Sequence, residues 1–141
     1  MLCSKILVPY DGSALAKKAL EKAVKLAQTD PAIEIVVAHV VTIPALPDPA
    51  VTVIQTLEEH IFKEGEAVLA EAKEALAGLP NRTEAILLEG HPAPVILKLA
   101  NESGSDLIIM GNRGLSGLRE FLGSVSHSVV HHSPIPVLLV K

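Results

Sequence analysis

Lys5 is followed by an unbroken apolar run, Ile6-Leu7-Val8, which stops at Pro9 and a polar turn through Asp11, Gly12 and Ser13. A continuous run, unlike an alternating one, predicts a strand over Lys5–Val8 covered on both faces, as in a parallel sheet. Ser13 is a suitable N-cap for a helix over Ala14–Gln28. Along it Leu15, Ala19, Leu20, Ala23, Val24 and Ala27 form one apolar stripe, while Lys17, Lys18, Glu21 and Lys25 fall elsewhere. Ile33–Val41 is a second, nearly all-apolar strand, followed by a connector with Pro44, Pro47 and Pro49. The longest helical pattern spans Val51–Ala77, with Val53, Leu57, Ile61, Val68, Ala72 and Leu76 on one side. Gly65 interrupts it at a cost of about 1 kcal/mol relative to Ala, and is read as a point of close packing, not a kink. Gly78 and Pro80 stop this helix. Thr83–Leu88 is the third strand, and Pro92 opens a helix to about Asn101 that Gly104 ends. Leu107–Met110 is the fourth strand, Val125–His132 the last helix and Val137–Val140 the final strand.

Strands that alternate with helices run parallel, with right-handed crossovers. The predicted fold class is therefore α/β, a doubly wound five-stranded parallel sheet with helices on both faces. The 141 residues fit a single domain over 1–141. Ligands of such sheets bind beyond the carboxyl ends of the strands, where the strand order reverses. Three segments arrive there: Pro9 to Ser13, the region after His39-Val40, and the chain from Gly111 onward.

Composition narrows the function. Aromatic residues are limited to Tyr10, Phe62 and Phe121, the net charge is -4, and no Lys/Arg cluster occurs. Stacking-based or electrostatic nucleic-acid binding is therefore not expected. Cys3, the single cysteine, cannot form an internal disulfide and is expected to be chemically unimportant. The start lacks a continuous apolar signal region, and no stretch approaches a membrane span, so a cytoplasmic protein is expected, with no membrane partner.

The richest chemistry follows the fourth strand. Gly111-Asn112-Arg113-Gly114 is succeeded by Gly117, and Gly123-Ser124-Val125-Ser126 leads into the last helix. Glycines let a backbone approach a ligand closely, and unpaired N–H groups at a helix start favour phosphate. Ser124 and Ser126 add hydroxyl donors, and Arg113 either offsets ligand charge or faces solvent. Turns rich in Gly and Ser also arise for conformational reasons alone. Asp11 either accepts hydrogen bonds from a ligand or serves the turn with Gly12. The Gly-Lys-Ser/Thr ending of a P-loop and the Gly-x-Gly-x-x-Gly dinucleotide fingerprint are both missing. His127, His131 and His132 lie close in sequence without a His-Glu-x-x-His arrangement, so no metal site is expected. His39 is expected to be packed or hydrogen-bonded. No nucleophile–base–orienter set can be named, so catalytic residues are not assigned.

Several segments together resemble the universal stress protein family in its single-domain form. They are Ile6 to Ser13, His39-Val40-Val41, Gly90-His91-Pro92-Ala93, Ile109 to Leu118 with Gly123 to Ser126, and Pro136 to Val140. The resemblance covers essentially the whole chain. It implies strand order 3-2-1-4-5 and an ATP site across the switch point between strands one and four, with magnesium held mainly by the phosphates. It carries Pro9, Asp11 and the backbone at Val40 over as adenine and ribose positions, and Gly111, with Met110 beside it, as a ribose position. Gly114, Gly123, Ser124, Val125 and Ser126 match the phosphate cradle. One departure stands out: Leu115 to Leu122 supplies eight residues between two glycines of this motif, one fewer than ATP-binding members usually have. A tighter turn absorbs that deletion, or the cradle shifts off the phosphates. The resemblance further implies a homodimer through the final strand, Val137–Val140. The function expected is a nucleotide-responsive stress protein, with hydrolysis slow at most. The alternative is a homodimeric stress protein that works through protein contacts without nucleotide.

Overall fold

The computed structural model describes residues 3–45, 51–113 and 123–141. The elements are β1 (Lys5–Pro9), α1 (Ala14–Ala27), β2 (Glu34–Val41), α2 (Val51–Leu76), β3 (Thr83–Glu89), α3 (Pro92–Ser103), β4 (Leu107–Gly111), α4 (Ser124–His132) and β5 (Val137–Val140). Every predicted element is present, with ends that move by a residue or two. The strands form one sheet in the order β3-β2-β1-β4-β5, and every neighbouring pair is parallel. The carboxyl ends of all five strands therefore share one edge, and the order reverses between β1 and β4.

Each face carries its own aliphatic core. Ile6, Val8, Ile35 and Val37 pack with α1 and α2 through Ala19, Ala23, Leu69 and Ala72. Leu7, Val36, Ile108 and Met110 pack with α3 and α4 through Ile96, Ala100 and Val129. The period-2 alternation of side chains along β1 and β2 divides these residues between the faces. Burial on both faces explains why the strands read as continuous apolar runs.

The caps agree with the sequence. The Ser13 side chain accepts a hydrogen bond from the Ala16 N–H, Pro92 opens α3, and Gly104 closes it in the left-handed conformation. The apolar stripe of α2 needs correction at its start. Val53 is 57% exposed, and the buried positions are Leu69, Ala72 and Leu76, so the stripe reaches the sheet only along the later turns. Gly65 is buried within an unbroken helix. A Cβ there would lie 2.9 Å from both Leu87 Cδ1 and Val41 Cγ1, so close packing against β2 and β3 accounts for this glycine.

At the opposite edge of the sheet, two polar side chains fasten the chain. The Asp106 carboxylate accepts from the Ser4 and Lys5 N–H groups and from the Ser4 hydroxyl. Asn81 donates from Nδ2 to the carbonyls of Ala27, Asp30 and Ile33, tying the α1–β2 turn to the start of β3.

Candidate functional site

Pro9 ends β1 at the switch point, and its chemistry opens the sheet there. The Lys5 carbonyl accepts from the Asp106 N–H, while the Tyr10 N–H donates to the Ala38 carbonyl. Odd-numbered main-chain groups of β1 thus face β4, and even-numbered ones face β2. Pro9, at an odd position, presents a ring to β4 in place of a donor. Register between β1 and β4 is correspondingly short, Ile6 with Leu107 and Leu7 with Ile108, whereas β1 and β2 pair from Lys5 to Pro9.

Beyond Pro9 the chain makes a tight polar turn. Asp11 Oδ1 accepts from the Ser13 N–H at 2.9 Å, so Asp11 serves the turn. Its second carboxylate oxygen makes no hydrogen bond to a described residue. Gly12 has φ 80° and sits against Val68 of α2. Tyr10 is buried, and its hydroxyl donates to Glu71 Oε2 at 3.3 Å. Burial, with the charge of and hydrogen bond to Glu71 and the charge of Asp11, pushes the Tyr10 phenol up to about 12. Lys17 of α1 lies 3.8 Å from the same Glu71 oxygen. Both flanking helices thus hold this turn in place.

On the β2 side, Gly90 N–H donates to the Val41 carbonyl, so odd-numbered groups of β2 face β3. The Val40 N–H and carbonyl consequently face the β1 side, one step past the last ladder bond. No described residue bonds them. His39 Nδ1 lies 2.8 Å from the Tyr10 carbonyl oxygen. Because that oxygen can only accept, the ring carries its proton on Nδ1. His39 is hydrogen-bonded, as expected.

Across the gap, Gly111 ends β4 against α1. A Cβ on it would lie 2.8 Å from Leu15 Cβ and 3.2 Å from the Leu15 carbonyl carbon. Contact with α1 therefore already requires glycine here, without any ligand. Met110 is part of the α3/α4-side core. Arg113 is half-exposed and forms no ion pair with a described residue.

Asn112 links strand and helix, a role the sequence reading missed. Its carbonyl accepts from the Gly123 N–H at 2.7 Å and from the Ser126 hydroxyl at 2.7 Å. Ser126 is 2% exposed, and its hydroxyl also lies 3.0 Å from the Gly123 carbonyl. The Ser126 hydroxyl is therefore engaged within the protein. The only hint in sequence was an Asn directly after Gly111 at a strand end, which does not reveal what its carbonyl accepts. The Asn112 side-chain Oδ1 is buried and has no hydrogen-bond partner among the described residues.

Gly123 is the N-cap of α4, and the first intrahelical bond runs from the His127 N–H to the Gly123 carbonyl. The N–H groups of Ser124, Val125 and Ser126 precede it and are accepted by no described residue, as at any helix start. Ser124 is exposed. Gly114 and the Leu115–Leu122 spacing lie outside the described residues, as do Pro47 and Pro49 of the connector. His127 and His131 stack with ring centroids 6.3 Å apart. Among the described residues, no three His, Cys, Asp or Glu side chains form a group that could hold a metal ion. No helix of the described residues is long and apolar enough to cross a membrane.

This arrangement defines a class: a doubly wound α/β protein with a polar turn, unpaired strand backbone and a helix start converging on its switch point. The model of the universal stress protein family matches residues 3–141, and the chain belongs to that family. It is 41% identical to universal stress protein YxiE of Bacillus subtilis, covering 98% of this chain and 99% of that one. The structure of protein MJ0577 of Methanocaldococcus jannaschii is similar with a TM-score of 0.88 at 30% identity, covering 100% of this chain and 97% of that one. The crystal structure of a universal stress protein in complex with cAMP is similar with a TM-score of 0.74 at 26% identity, covering 100% and 99%.

Proposed function

We propose that this protein binds an adenine nucleotide, ATP with magnesium held mainly by its phosphates, at the carboxyl ends of β1 and β4. It acts there as a nucleotide-responsive module in a stress response. The observation that carries this reading is the convergence of unspent hydrogen-bonding groups on both sides of the β1–β4 gap. Val40 offers an N–H and a carbonyl in the pattern suited to the edge of a base. Asp11 keeps one carboxylate oxygen for ribose hydroxyls. Asn112 holds a buried acceptor that no described residue serves with a donor. The N–H groups of Ser124, Val125 and Ser126 suit an anion through hydrogen bonding and the helix dipole. Pro9, Met110 and Gly111 shape the gap, and Arg113 and Gly114 complete the phosphate side in this proposal. The cAMP complex of a similar family member supports a nucleotide as ligand.

The same reading makes the protein a homodimer through β5, with other protein partners unidentified. Its support is that, among the described residues, β5 pairs on one side only, with β4, and that Leu138 and Val130 are 48% and 42% exposed. An apolar edge strand invites pairing.

Calorimetric titration of nucleotide-stripped protein with Mg-ATP tests the site. Saturable heat is expected, and Asp11→Ala should weaken it about tenfold, corresponding to one hydrogen bond to a charged group. No heat and no thermal shift at millimolar ATP would remove the nucleotide reading and leave the protein-contact alternative.

A further inference from the structure

We infer that His39 is a positioning residue that ends the β1–β2 ladder one step early and so leaves the Val40 main chain open to the ligand. The inference rests on the nucleotide reading above for its consequence, although not for its geometry.

The ladder sets the expectation. Between parallel strands, a residue facing its neighbour both receives and gives main-chain hydrogen bonds at evenly spaced positions. The Tyr10 N–H donates to the Ala38 carbonyl. The next bond in that series would run from the Val40 N–H to the Tyr10 carbonyl. In its place, the Tyr10 carbonyl receives the His39 imidazole at 2.8 Å. The ring comes from the residue before Val40, folded back on the α1/α2 side of the sheet, where its Cδ2 would lie 3.5 Å from a Cβ placed on Gly65. Gly65 thus gives the ring room between β2 and α2.

Two results follow from one hydrogen bond. The carbonyl that introduces Asp11 is fixed in direction, which fixes the turn that carries the carboxylate. The Val40 N–H loses its strand acceptor and remains at the gap beside the Val40 carbonyl. His39 touches neither the base nor the ribose in this scheme; it acts through Tyr10 and Val40.

His39→Leu removes the donor while keeping apolar bulk, and His39→Asn places an amide N–H near the position of Nδ1. The first measurement is amide hydrogen exchange on the nucleotide-free proteins. In wild type the Val40 amide should exchange quickly. In His39→Leu it should slow at least tenfold as the ladder closes, the opposite of what general destabilisation does. In His39→Asn it should return to fast exchange. The second measurement is the Kd for Mg-ATP and Mg-GTP. His39→Leu should bind Mg-ATP about tenfold more weakly and lose discrimination between the two bases, with recovery in His39→Asn. An unchanged or faster Val40 amide in His39→Leu would overturn the inference. So would an equal loss of affinity for both nucleotides. If wild-type protein binds no nucleotide, the nucleotide reading fails, and the Val40 exchange result alone decides whether His39 opens the ladder.

Discussion

Replacing Gly65 with alanine sets helix propensity against packing. In the middle of a helix this substitution ordinarily stabilises by about 1 kcal/mol, because glycine loses more backbone freedom on folding. At this position the new methyl group would lie 2.9 Å from Leu87 Cδ1, 2.9 Å from Val41 Cγ1 and 3.5 Å from His39 Cδ2. Leu87 has two side-chain torsions with which to retreat. Val41 is β-branched, and its χ1 is stiff. The methyl is also confined from two sides at once, so α2 must lift from the sheet or Val41 must leave its rotamer. Overpacking of this kind costs about 1–3 kcal/mol. Set against the propensity gain of about 1 kcal/mol, Gly65→Ala should destabilise by about 0–2 kcal/mol, a fall in Tm of roughly 4 °C per kcal/mol. Urea unfolding followed by far-ultraviolet circular dichroism measures it, since the chain has no tryptophan. In a Val41→Ala background the penalty should shrink, with a coupling of about 0.5–3 kcal/mol between neighbours in contact. Stabilisation of the wild-type background by the full propensity gain, with no coupling to Val41, would refute the claim that packing demands this glycine.

Tyr10 is the single tyrosine of the chain, so its ionisation can be followed directly by phenolate absorbance. The native midpoint should lie near 12, above the ordinary value of 10.0. A raised phenol contributes stability that is complete below pH 10 and is lost as pH rises towards 12. Tyr10→Phe should flatten that alkaline slope and cost about 0.5–1.5 kcal/mol at neutral pH; a native midpoint at the ordinary value would contradict the buried contact with Glu71. Asp106 has the opposite sign. Burial alone would raise its carboxyl, but hydrogen bonds from Lys5 and Ser4 outweigh burial and hold it below 3.8. Its contribution is present above that value and is lost as pH falls through the folded-state pKa. Asp106→Asn should therefore lower stability at pH 7 by about 1–2 kcal/mol after allowance for solvent screening, and a difference from wild type that persists unchanged under strong acid would count against this assignment.

The alternation of elements, and hence the parallel, doubly wound sheet, is legible in the chain's local pattern. Its signals were local: unbroken apolar runs, a helical stripe from Leu15 to Ala27, and Ser13, Pro92 and Gly104 at the ends of helices. Such signals act within a few residues, so they are legible without knowing what lies opposite. The same locality explains why Val53 belongs to the apolar stripe and is nevertheless exposed. Periodicity says which side of a helix is apolar, not how far the sheet beneath it extends. Gly111 was legible as a glycine that matters, but the reason, the approach of Leu15 from α1, belongs to tertiary structure. Three further contacts come from the folded arrangement: the Ser126 hydroxyl closes on Asn112, Tyr10 reaches Glu71 across 61 residues, and His39 occupies the Tyr10 carbonyl. These are hydrogen bonds of orientation. They depend on which way a strand faces after the sheet has formed, and no spacing along the chain records that direction.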